Sequence, residues 1–120
     1  MQYNAFKLKT ALTASTSSYD RTVVLIDCDG NCEEGNSSQI INIIEKSNHK
    51  SIIQVHLKWE IEEWICVGEG IILSSEKPSK ILAQKLKYEK KDLPRYADNL
   101  NIVNLKKSSN SFSDFIVALS

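Results

Sequence analysis

The stretch Arg21-Thr22-Val23-Val24-Leu25-Ile26-Asp27-Cys28-Asp29-Gly30 decides the fold, because an apolar, β-branched run stops abruptly at two acids and a glycine. A run of this length suits a strand buried on both faces and is too short to favour a helix. Side chains alternate along a strand, so Asp27 and Asp29 are expected to leave on one side and Cys28 on the other. The two carboxylates would then meet at the carboxyl end of the strand, where open α/β sheets place their ligands. Two like charges so close call for a cation between them or a proton on one of them. A hard divalent ion such as Mg²⁺ or Mn²⁺, weakly held on Asp27 and Asp29, meets that need. The competing reading is plain turn chemistry, with Asp29-Gly30-Asn31 as a solvated bend.

Working outward, Gln39 to Lys46 sets Ile40, Ile41, Ile43 and Ile44 on one broad stripe, with Ser37 or Ser38 as a suitable N-cap, so a helix is expected there. Ser51 to Leu57 reads as a second strand, and strand, helix, strand implies a parallel pair joined by a right-handed crossover. His56 near its end is a candidate ligand, although a hydrogen-bonded structural role is the commoner one for such a histidine. Lys58 to Cys66 follows as a helix with Ile61, Trp64 and Ile65 inward. Glu60 and Glu63 are then expected to face away from the core, with Glu62 at the border, within reach of the strand ends. The same glutamates also suit a helix N-terminus through its dipole alone.

Further out the pattern is weaker. Residues 4 to 15 place Phe6, Leu8, Ala11, Leu12 and Ala14 at loosely helical spacing. Ile71 to Ser75 is a short edge strand or a loop, and Pro78 opens a helix running to Tyr88. Lys90 to Pro94 is a connector. Tyr96, Leu100, Val103 and Leu105 suggest helical packing, and Ser111 to Leu119 reads as a final helix with Phe112, Phe115, Ile116 and Leu119 inward.

At 120 residues with no net charge, the chain has the size and balance of a single α/β domain spanning 1–120, a small, mostly parallel sheet flanked by helices. Its charge is unevenly distributed: four bases face eleven acids between Asp20 and Glu76, and nine bases face four acids from Lys77 onward. A basic flank beside an acidic site favours nucleic-acid contact slightly, but segregated charge is also usual on solvated faces. No apolar run approaches the roughly 18 residues of a membrane span, so no membrane partner is expected. With three cysteines and no leader pattern, a reducing, cytoplasmic setting follows. Cys28, Cys32 and Cys66 are then expected as buried thiols.

Taken together, Leu25-Ile26-Asp27-x-Asp29-Gly30-Asn31-Cys32, His56-Leu57 and Glu62-Glu63-Trp64-Ile65 resemble an uncharacterised prokaryotic family with a TOPRIM-like domain. Members of that family resemble the overcoming-lysogenization-defect nucleases and are often encoded beside AAA-type ATPases. Lys77 or Lys80, and Ser109-Asn110-Ser111-Phe112, extend the resemblance, which runs from about Tyr19 to the end. It implies an Mg²⁺-dependent phosphodiester-processing domain, with Asp27 and Asp29 as metal ligands. The family's general acid or base is a glutamate on an earlier strand, and no glutamate precedes Asp20. The resemblance therefore implies an N-terminally truncated version, inactive alone unless Glu62 or a second chain supplies that group. It also implies, as partners, nucleic acid, an AAA-type ATPase in a defence-type system, or another copy of the chain.

Two other classes compete. Leu-Ile-Asp-Cys-Asp-Gly is similar to the opening motif of haloacid-dehalogenase-type phosphatases, but Asn31 stands where those enzymes want threonine and no second acidic pair follows, so this reading ranks low. The other is a non-catalytic interaction or oligomerisation module, built on a sheet edge left open by the missing strand.

Overall fold

Val23 to Ile26 and Ile52 to Val55 are short, β-branched apolar runs without helical spacing, and both become strands. The computed structural model describes residues 4–120. Thr22–Asp27 (β1) and Ile52–Leu57 (β2) pair in parallel, with Ile26 opposite His56 and Asp27 opposite Leu57. Ala5–Ser18 (α1) precedes them and Gly35–Ser47 (α2) is the crossover. Glu62–Gly68 (α3), Pro78–Leu86 (α4), Leu93–Asp98 (α5), Ile102–Ser108 (α6) and Asn110–Leu119 (α7) follow, with a single 3-10 turn at Lys90–Asp92. The expected α/β architecture is thus present, with a sheet of two strands among the described residues. No helix described is long and apolar enough to cross a membrane.

Each face of the sheet has its own core. On one, Ile26 and Cys28 pack with Leu12 of α1 and Ile44 of α2. On the other, Leu57 packs with Trp64 of α3, Leu105 of α6 and Phe112 of α7. A third cluster, Ile65, Cys66, Leu82 and Tyr88, joins α3 to α4 beyond the sheet. The start of β1 is tied to α7 by Arg21, whose guanidinium donates to the carbonyls of Ala118, at 3.1 Å, and of Ser120.

Thr22 N–H and Cys28 N–H donate to Ser51 and Leu57, so the even-numbered residues of β1 face β2. The peptide groups of Val23, Leu25 and Asp27 accordingly face the opposite edge, which no other strand covers among the described residues.

Several expectations are corrected. Helix α2 begins a turn early, at Gly35, and Ser37 is not its cap: the Ser37 hydroxyl donates to Glu34 O at 2.9 Å inside the first turn. The expected connector Lys90 to Pro94 is instead a 3-10 turn running into helix α5 at Leu93, and of the two readings offered for 71–75 the loop is the one present. Phe6 and Leu119 are exposed, since α1 and α7 each turn only part of the expected stripe toward the sheet. Cys28 and Cys32 are not free thiols but a disulfide, while Cys66 is free and buried. The bend at Asp29 (φ 49°) and Gly30 (φ 95°) reverses the chain and brings the two sulfurs together.

Candidate functional site

The strand ends gather more carboxylates than the two expected. Strand β1 stops at Asp27, and Asp29 adopts a left-handed conformation that breaks the alternation placing both acids on one side. Even so, they remain neighbours. Asp27 is exposed, yet the protein around its carboxyl strips away part of its hydration, and this desolvation, then the nearby carboxylates of Glu60, Asp29 and Glu62, push it above its usual range. The charges of Glu62 and, more strongly, Glu60 are thus felt at Asp27.

The loop from β1 is held against the loop from β2 by three backbone bonds: Cys28 N–H to Leu57 O, Asp29 N–H to Trp59 O and Gly30 N–H to Lys58 O. Glycine is required at position 30, because a Cβ there would lie 3.1 Å from the Trp59 ring and φ is positive. This close approach fixes where Asp29 sits relative to the chain leading to Glu60 and Glu62.

Glu60, Glu62 and Glu63 are all buried, at 4%, 0% and 5% exposure, contrary to the expectation that they border or avoid the core. Helix α3 is enclosed by α4, α5 and α6, so its polar flank also faces protein. Each glutamate is answered by specific donors. Glu60 accepts from the Ser79 amide at 2.8 Å, at the start of α4, and Glu63 accepts from Trp59 N–H at 3.3 Å. Glu62 accepts from the Tyr88 hydroxyl at 3.1 Å and from the Lys90 ammonium. Its other oxygen, Oε1, is buried with no hydrogen-bond partner.

Two lysines lie among the acids. Lys77 Nζ is 3.3 Å from Asp29 and 3.8 Å from Glu60, and Lys90 Nζ is 3.7 Å from Glu60 while bonded to Glu62. Partial burial opposes the charge on both, yet the surrounding carboxylates outweigh it and hold each ammonium above its ordinary value. Burial, reinforced by Glu62, raises the Tyr88 phenol, which stays protonated as a donor. Lys90 carried no signal in sequence beyond its place in a basic segment.

Trp64 and Ser111 of the resemblance meet directly: the indole N–H donates to Ser111 Oγ at 2.9 Å. Ser109 caps α7 through Phe112 N–H at 3.2 Å. Both contacts are architectural: the first seats α7 on α3 and the second caps α7 itself. His56 is exposed on the other face of the sheet, with Nε2 2.8 Å from Gln54 Oε1, and takes no part in the acidic cluster.

No protein-family model, curated protein or solved structure matches the chain. What the cluster can do follows from its own donors. Among the described residues no three side chains of the metal-ligating kinds converge closely enough to form a ready cage. The oxygens present are nonetheless the hard donors that Mg²⁺ or Mn²⁺ prefers, and such ions often rest on one or two carboxylates with water filling the other positions.

The elevated Asp27 carboxyl carries a stability consequence. A carboxyl whose folded-state pKa exceeds its unfolded value favours the fold below the unfolded value and loses that contribution as pH rises through the folded one. Asp27→Asn is therefore expected to raise the thermal midpoint at neutral pH, with the gain fading below about pH 4. Thermal melts from pH 3 to 8 check this; an equal or lower midpoint at pH 7 would count against the desolvation and repulsion acting on this carboxylate.

Proposed function

We propose that this domain binds a divalent cation at the carboxyl ends of its strands and processes phosphodiesters in the manner of TOPRIM-type nucleases. The observation that carries the reading is charge balance: Asp27, Asp29, Glu60 and Glu62 are offset by only Lys77 and Lys90, leaving a formal excess of two negative charges beside the buried, unpartnered Glu62 Oε1. Asp27 and Asp29 are the ligands, and Mg²⁺ or Mn²⁺, when bound, stabilises charge on a phosphodiester during in-line displacement. Lys77, with its side chain 41% exposed beside Asp29, meets a phosphate oxygen. Glu62, fully enclosed and bonded to Lys90 and Tyr88, holds the Lys90 ammonium near Asp27. The lysine-rich segment from Lys77 to Lys107 supplies the electrostatic attraction for a nucleic-acid backbone.

Titration calorimetry with Mn²⁺ tests the reading. The wild type is expected to bind weakly and the Asp27→Asn, Asp29→Asn double variant not at all. Asparagine is used because it tolerates the left-handed backbone at position 29. Identical heats from both proteins would overturn the assignment.

A second reading rests on the uncovered edge of β1. There the outward peptide groups of Val23, Leu25 and Asp27 and the exposed Leu25 side chain offer a template for an added strand, from another copy or from an ATPase partner. Light scattering distinguishes this pairing role: a strict monomer across a wide concentration range leaves only the hetero-partner form.

A further inference from the structure

The Cys28–Cys32 bridge belongs to the opposite face of the sheet from the acidic cluster and has no part in the function proposed above. Its two sulfurs differ in access. Cys28 is 3% exposed and packed among Ile26, Leu12 and Ile44, whereas Cys32 is partly exposed. Cys32 lines a shallow groove of about 370 Å³ together with Glu33, Ser38, Ile41, Glu45 and His56. The bridge spans only four positions, and the turn inside it is already held by backbone bonds to β2 and by Asn31 N–H to Cys28 O at 3.0 Å. A bridge over so short a loop restricts the unfolded chain far less than a long-range one. Its opening therefore leaves the sheet and both cores in place.

We propose that Cys28 and Cys32 form a reversible two-electron thiol site, with Cys32 the sulfur that exchanges with an external dithiol entering the His56-lined groove. The thiolate of the dithiol attacks Cys32 Sγ. The Cys28–Cys32 bond breaks, and Cys28 Sγ leaves with the electron pair and takes a proton. The second thiol of the reagent then attacks the mixed disulfide and releases Cys32 as thiolate, which is protonated in turn. The protein gains two electrons and two protons, and the dithiol is oxidised to its cyclic disulfide. Accessibility selects Cys32 over Cys28 as the point of attack. Cys66 serves as an internal control: it is fully buried, and burial pushes its thiol up to about 11, so it stays unreactive while the fold is intact.

Protein purified without reductant is equilibrated with dithiothreitol at graded ratios of reduced to oxidised reagent, without denaturant, then acid-quenched, alkylated and mapped by mass spectrometry. Cys28 and Cys32 are expected to gain alkyl groups together in one transition, with Cys66 unlabelled and the circular dichroism unchanged. In parallel, Cys28→Ser and Cys32→Ser variants are treated with oxidised glutathione. Folded Cys28→Ser is expected to carry glutathione on Cys32 at a level at least about tenfold above that on Cys28 of folded Cys32→Ser, given the difference in access. A bridge that resists excess dithiol until the protein is denatured, glutathione found on Cys28 in preference, or free thiols at both positions in unreduced protein would each overturn the proposal.

Discussion

Phe112→Ala is expected to destabilise the domain by about 3–5 kcal/mol, the range for removing a large aromatic from a well-packed core. Phe112 is 3% exposed and meets Trp64 edge-on, with centroids 5.2 Å apart and planes at 85°. Phe115 lies 5.3 Å from the same indole and 6.4 Å from Phe112, so the three rings form one interlocked group between α3, α7 and Leu57 of β2. Deleting the Phe112 ring removes its edge-on contact with Trp64 as well as apolar area, and the rigid indole limits how far the gap can close. For a chain of this length the loss corresponds to a thermal midpoint lower by roughly 10–20 °C. Chemical denaturation checks it. A change near 1 kcal/mol would mean that α7 is not seated on the sheet through this residue.

The second large effect is expected at Lys90. Lys90→Met takes the ammonium from a carboxylate that is 0% exposed, leaving Glu62 with only the Tyr88 hydroxyl. Breaking a buried pair from one side strands the other charge, at a cost of about 3–5 kcal/mol where both partners are enclosed. The Lys90 side chain is itself 69% exposed, so water screens part of the interaction and about 2–3 kcal/mol is expected. Adding Glu62→Leu to Lys90→Met is expected to recover most of that loss, because no charge then remains to be solvated. A double variant as unstable as the single one would show that Lys90 acts through packing instead of charge.

The sheet and its crossover were legible because β-branched runs and an isoleucine-rich period leave few alternatives. The acidic site was legible only in part. Asp27, Asp29 and Glu62 announce themselves by position, but a helical wheel drawn from Ile61, Trp64 and Ile65 sends Glu60 and Glu63 outward. That inference assumes a helix with one solvated side, and α3 has none: the lysines and tyrosine that make its burial tolerable arrive from residues 77–90, far along the chain. Three glutamates within four positions, flanked by two tryptophans, were the available signal that this flank is enclosed. The disulfide escaped notice for a local reason. Its spacing fits no zinc pattern, and only the reversal at Asp29-Gly30, a backbone property, makes the two sulfurs meet.

The clamp between Arg21 and the carbonyl groups of α7 has a consequence for biosynthesis. During translation β1, α2 and β2 emerge early, yet Leu57 and Trp64 stay uncovered until α7 has left the ribosome. Closure of this face therefore joins segments far apart in the chain, the kind of contact that carries the larger loop-closure cost and slows folding.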